Sequence, residues 1–127
     1  MDVLSSRVLL RPTDPDRSHH FYAELLSLAV YREYGTGDGR GVVYFLGGGF
    51  LEVAGRSAAP VGDKLRLWLQ VRDVDATYRE LVGRGVAVTQ PPTDQPWGLR
   101  EMYLSDPDGV PIVVVEVPEN HPLRRRL

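Results

Sequence analysis

The sequence predicts an α+β fold built from two copies of one strand-helix-three-strand unit, and three observations predict it. A string of residues in the first half recurs in the second, each copy opens a helix with an Asp-x-Asp segment, and each closes on a hairpin with strong turn residues. Self-similarity of this kind sets the architecture, because each copy is one supersecondary unit. The string Arg7–Asp16 lies on Arg66–Asp75 without a gap, keeping arginine, leucine and both aspartates in place. Further on, Tyr22–Leu26 matches Tyr78–Val82, and Val43-Tyr44-Phe45 matches Met102-Tyr103-Leu104. At 127 residues the chain can fill one sizeable core but not two ordinary independent ones, so the copies belong to a single domain.

Taken in order, each half begins with a short apolar run rich in β-formers. An aspartate then caps a helix by accepting amide hydrogens that have no partner in the first turn. Helices are expected near 15–27 and 74–84. Phe21, Leu25 and Leu28 share one face of the first, and Tyr78, Leu81 and Val82 one face of the second. Gly83 and Gly85 bracket the second helix end, where a left-handed residue is often required. A strand returns at Val86–Thr89. Gly41–Leu46 pairs with Phe50–Ala54 around Gly47-Gly48-Gly49, and Arg100–Ser105 pairs with Val110–Val117 around Asp106-Pro107-Asp108-Gly109. Module one therefore spans about 5–55, a linker 56–64, module two about 65–117, and a tail 118–127 that is expected on the surface. The Arg124-Arg125-Arg126 run in that tail faces solvent or packs across a dimer.

With 15 basic and 17 acidic side chains the net charge is -2, and no basic field exists to attract a phosphate backbone. Nucleic acid is not an expected partner. Cysteine is absent, which removes disulfides, thiolate metal sites and a cysteine nucleophile together. No apolar stretch approaches the roughly 20 residues of a membrane span, and Met1–Arg7 lacks the apolar core of a secretory signal. The expectation is a cytoplasmic protein without a membrane partner. Gly47-Gly48-Gly49 reads as a tight turn and not as a phosphate cradle, since no Gly-x-Gly-x-x-Gly opens a helix there and no Lys-Ser/Thr follows.

One larger pattern stands out: a strand, Asp14-x-Asp16-x-Ser18, Phe21-Tyr22, Glu24-Leu25-Leu26, then Asp73-Val74-Asp75, and finally Trp97-Gly98-x-Arg100-Glu101 before Asp106-Pro107-Asp108-Gly109. Over about residues 5–117 the chain resembles the glyoxalase/bleomycin-resistance (vicinal oxygen chelate) superfamily. Its members include glyoxalase I, extradiol dioxygenases, methylmalonyl-CoA epimerase, and bleomycin- and fosfomycin-resistance proteins. The resemblance implies two βαβββ modules forming a curved mixed sheet around a cleft, commonly completed by a second subunit as a homodimer. It fixes chemistry less well, because members share a scaffold while differing in reaction.

Metal-dependent members hold their ligands at positions that the resemblance places on Arg7, Glu52, Arg66 and Val113. Guanidinium has no lone pair for a cation and valine has no donor, so only Glu52 suits a metal. About three protein ligands are needed, and no metal or other cofactor is expected. His19 and His20 diverge by about 100° on a helix and read as surface residues of its first turn. His121 lies in the tail, and no spacing recommends another centre using Glu52, Glu101 or Glu116.

Strand alternation puts Arg7, Leu9 and Arg11 on one face, and Arg66, Trp68 and Gln70 on the equivalent face. Phe50 and Glu52 share a side, as do Glu101 and Tyr103 with Val113 and Val115. The register implied by the resemblance turns these faces to the cleft, giving a ligand site of Arg7, Leu9, Phe50, Glu52, Arg66, Trp68, Trp97, Glu101, Tyr103 and Val113. Such a lining suits a planar or polycyclic ligand: rings stack, while Arg7 and Arg66 stack on a ring or hold a carboxylate or phosphate. Trp68 fits plain core as well, and Arg7 with Glu52 fits a buried ion pair. Trp97 follows Gln95-Pro96 in a turn-rich stretch, where core packing makes fewer demands.

The leading expectation is a metal-independent protein that sequesters an aromatic or polycyclic drug or natural product, as the bleomycin-resistance branch does. The alternative is a lyase, isomerase or hydrolase of the same superfamily with Glu52 or Glu101 as base, helped if burial raises its pKa. A purely structural or regulatory domain is the third reading.

Overall fold

Each half of the chain builds a four-stranded mixed sheet of the same topology. The computed structural model describes residues 1–124; Arg125 and Arg126 of the arginine run lie outside the described residues. Strands β1 (Arg7–Leu10), β2 (Val30–Tyr34), β3 (Gly41–Leu46) and β4 (Gly49–Ala54) form a sheet of order β1-β4-β3-β2. Strands β5 (Leu67–Val71), β6 (Val88–Asp94), β7 (Arg100–Ser105) and β8 (Pro111–Glu116) repeat it as β5-β8-β7-β6. In both, the first strand runs parallel to the last and the remaining pairs are antiparallel.

A helical segment connects the first and second strands of each sheet. Helix α1 (Pro15–His19) widens into a π-helical stretch over His20–Leu25, and α2 covers Val74–Gly83. The predicted caps form: Asp14 accepts from the Arg17 amide at 3.2 Å, and Asp73 from the Ala76 amide at 3.0 Å. Gly85 beyond α2 takes the left-handed conformation, φ 88°. The first helix stops at Leu25, short of the expected 27.

One core joins the modules. Leu10, Tyr22, Tyr44 and Leu51 of the first pack in the same cluster as Leu67, Leu81, Met102 and Ile112 of the second. Polar contacts reinforce the seam: the Tyr22 hydroxyl donates to Asp106 at 2.8 Å, Thr13 meets Asp108, and an Arg17 guanidinium nitrogen donates to the Pro107 carbonyl at 2.6 Å. The opposite faces of both sheets therefore point away from the core and carry Arg7, Leu9, Phe45 and Trp68 exposed. Among the described residues no helix is long and apolar enough to cross a membrane.

Several expectations are corrected. The strand expected at Val86–Thr89 is β6, Val88–Asp94, and it runs through Pro91 and Pro92. It lies at the sheet edge and pairs with β7 through two register shifts, so the prolines' missing donors cost the ladder little. Val82 does not share the buried face of α2; it is exposed, while Val74 and Leu81, seven residues apart, are turned inward. His19 is not a surface residue but 3% exposed, because Pro15, Ser18 and His19 of α1 and Tyr22 of the π-helical stretch form one inward face. The repeat also slips by one residue in the third strand. Val43 pairs with Glu52 and Tyr103 with Val113, so Val43 corresponds to Tyr103 and not to Met102.

Candidate functional site

The outer face of the second sheet carries a groove of about 310 Å³ lined by Arg66, Trp68, Trp97, Glu101, Tyr103 and Val113. Alternation explains the set: Trp68 faces Val113 across the β5–β8 ladder, Val113 faces Tyr103 across β7–β8, and Glu101 stands two residues before Tyr103 on the same side. Trp97 arrives from the turn before β7. Its indole N–H donates to Glu101 Oε2 at 2.8 Å, and the Tyr103 hydroxyl donates to Glu101 Oε1 at 2.9 Å. Glu101 is 4% exposed, and this pair of donors compensates its burial. One carboxylate thus holds two rings at set angles.

The rings themselves remain open. Trp97 is 56% and Trp68 49% exposed, so Trp68 is not core. Val113 forms the floor, packed with Leu99, Val115 and Val117 and against Tyr103. The tail folds back to support the wall: the His121 ring lies against Gly98, within 3.3 Å of the Trp97 carbonyl oxygen, and Arg124 donates to the Val117 carbonyl at 2.8 Å. At Trp68 the groove meets a broader trough of about 680 Å³ that runs toward Phe45 and Gly48 of the β3–β4 hairpin.

The equivalent face of the first sheet holds Arg7, Leu9, Phe50 and Glu52, which the structure therefore places apart from the other six predicted site residues. Arg7 donates to Glu52 Oε1 at 2.7 Å and the Tyr34 hydroxyl donates to Glu52 Oε2 at 2.6 Å. The Arg7–Glu52 pair exists but is not buried, its side chains being 38% and 18% exposed. Tyr34 and Arg7 together hold the Glu52 carboxyl below the usual carboxylate range. That shift is opposite to the one a general base at neutral pH needs. Tyr34 lies across Gly41, where any Cβ would overlap its ring.

Sequence reasoning placed Phe50 here but missed Tyr31, Phe45 and Tyr34. Tyr31, Phe45 and Phe50 form an aromatic cluster with ring centroids 4.9 to 5.6 Å apart, and the Arg7 guanidinium sits 5.8 Å from the Phe50 ring centre. Tyr34 completes the charge pair. Only the aromatic content of Val30–Tyr34 hinted at the two tyrosines, because the meeting of all three with Phe50 and Glu52 depends on long-range sheet register.

The residues at the superfamily's metal positions do not fit a metal ion. Arg7 and Arg66 are cationic, Val113 has no donor, and both Glu52 oxygens are engaged. Asp73, Asp75 and Glu116 also approach one another, with ligand atoms within 4.8 Å. Each has structural work: Asp73 and Glu116 accept from the first amides of α2, and Asp75 pairs with Arg100 at 2.9 Å.

A family model described as the Glyoxalase/Bleomycin resistance protein/Dioxygenase superfamily matches residues 5–114. Among solved structures, a member of that superfamily from Sphaerobacter thermophilus DSM 20745 is 28% identical with a TM-score of 0.72, covering 91% of this chain and 98% of that one. TnmS3, an antibiotic binding protein from Streptomyces sp. CB03234, is 26% identical with a TM-score of 0.76, covering 92% and 98%. A glyoxalase/bleomycin resistance protein from the same Streptomyces strain is 27% identical with a TM-score of 0.69, covering 87% and 97%. A comparison with curated proteins finds no match.

Proposed function

We propose, from the premise that the chain belongs to the glyoxalase/bleomycin resistance protein/dioxygenase superfamily, that it binds and sequesters a flat aromatic drug or natural product without the help of a metal. The observation that carries this reading is the groove of module two, where Trp68, Trp97 and Tyr103 surround open space and Glu101 fixes two of the three rings. An aromatic lining with few polar anchors is the usual form of a small-molecule site. TnmS3, whose described role is antibiotic binding, shares the fold over nearly its whole length and supports the reading. Neither Glu52 nor Glu101 keeps an oxygen free of a donor, so no observation favours the enzymatic alternative.

The same reading includes a homodimer, in which the aromatic face of one subunit's module one helps to wall the groove of the other. The experiment that tests the binding site is Trp97→Ala. Loss of a stacking ring should weaken binding of a polycyclic aromatic by about 1–3 kcal/mol. Removing a core tryptophan would instead cost about 3–5 kcal/mol of folding stability. Calorimetric titration with a panel of polycyclic aromatics, beside thermal melts, separates the two. Unchanged affinity with a large fall in melting temperature would show that Trp97 serves packing and not a ligand.

A further inference from the structure

The internal repeat supplies a control for one side chain. Arg7 and Arg66 occupy the same place in the two modules, at the start of the first strand of each sheet. In module one the ladder sets Leu9 beside Glu52, and Glu52 neutralises Arg7 at 2.7 Å. In module two the same rung sets Trp68 beside Val113. Valine brings no charge, so the counter-ion that module one provides has no equivalent in module two. Among the described residues Arg66 makes no ion pair, and it is exposed on the wall of the aromatic groove. The acid that shares this groove, Glu101, is buried with one aromatic donor on each oxygen.

We infer that Arg66 is the anion-reading residue of the groove, and that the ligand is a flat aromatic bearing a carboxylate at its edge. This rests on the proposed function and narrows its ligand class. The planar guanidinium presents paired N–H donors that match a carboxylate in a bidentate way, which a neutral amide cannot reproduce. The flanking rings keep part of the bulk solvent away, so the attraction is stronger there than between fully solvated charges. Trp97 and Tyr103 meet the ring of the ligand, Val113 is the floor beneath it, and Arg66 meets its charged edge. The two modules have thus diverged: one guanidinium is neutralised by its own chain and the other is left for the ligand.

The test compares 2-naphthoate with 2-naphthamide, nearly the same shape with and without the charge, by calorimetric titration at low ionic strength. The wild-type protein should bind the acid about tenfold more tightly than the amide. In Arg66→Gln, a substitution on the exposed wall, the acid-to-amide affinity ratio should fall to about one. Val113→Glu, which supplies the counter-ion that module one has in Glu52, should likewise bring the acid-to-amide ratio to about one. Equal affinity for acid and amide in the wild type, or a preference that survives Arg66→Gln, overturns the inference and leaves the aromatic site standing. Binding of neither probe overturns the flat-aromatic reading itself and this inference with it.

Discussion

Burying a carboxylate costs several kcal/mol unless its oxygens find donors, and Glu101 finds one in each of two aromatic side chains. The arrangement makes Glu101 a positioning residue, since it acts through the rings it holds. Glu101→Gln keeps the volume but sets an amide NH2 against a donor, so one of the two bonds is lost. The expected result is a loss of about 1–2 kcal/mol, or about 5- to 30-fold, in affinity for a polycyclic aromatic, checked by titration of the variant against wild type. His19 supports a separate prediction about pH. It is buried with Nδ1 3.1 Å from the Tyr44 hydroxyl and Nε2 without a partner among the described residues. Burial, then the nearby Arg40 charge, lowers its pKa below the ordinary 6.5, against smaller opposing effects of Glu33 and Asp16. The unfolded chain therefore takes up this proton first, so the contribution of neutral His19 is complete above the ordinary value and is lost as pH falls below it. Melting temperature should drop between about pH 7 and pH 5.5, and that drop should be smaller in His19→Gln. Glu52 acts in a lower window: its depressed pKa stabilises the fold above the ordinary 4.5 and is lost as pH falls further.

The two helices begin where an aspartate can reach back to their first free amides, and α2 has a second device in Glu116, which accepts from the Val74 amide at 3.0 Å. Removing the cap of α2 by Asp73→Ala should cost about 1 kcal/mol of stability, measured by denaturant unfolding with an unchanged slope. Features of this kind were legible in the sequence because their chemistry is local: Asp14 and Asp73 mark helix starts, and the Gly47-Gly48 and Pro107–Gly109 stretches mark hairpin turns. Elements whose identity depends on neighbours were not. Pro91 and Pro92 lie beyond the strand expected at Val86–Thr89, yet an edge strand with bulges accommodates them. His19 reads as a first-turn surface residue beside His20, whereas Pro15, Ser18, His19 and Tyr22 sit at the i, i+3, i+4, i+7 positions that turn inward. Of the site, alternation along β5, β7 and β8 grouped Arg66, Trp68, Glu101, Tyr103 and Val113 correctly on one face. The clustering of Tyr31 with Phe45 and Phe50 arises only once β2, β3 and β4 are in register, and no local signal carries that.

On the scale of the molecule, the helices and the inner faces of both sheets form one shared core, and both outer faces are covered only in part. Leu9 is 67%, Tyr31 54% and Phe45 45% exposed on the first sheet, and Trp68 and Trp97 are about half exposed on the second. Isolated apolar side chains at a surface need no explanation, whereas neighbouring aromatic ones on one sheet face are the kind of patch on which the proposed binding and pairing rest. A twofold arrangement would satisfy both faces at once, because module one of each subunit would cover module two of the other, giving two equivalent clefts. Sedimentation velocity at micromolar concentration should therefore show a dimer. Phe45→Glu, which places a charge in the aromatic cluster without touching the shared core, should shift the protein toward monomer and weaken ligand binding in the same titration. A wild-type protein that sediments only as monomer with ligand present would remove the two-chain cleft, and would leave the groove of Trp68, Trp97 and Tyr103 to bind with the walls of a single chain.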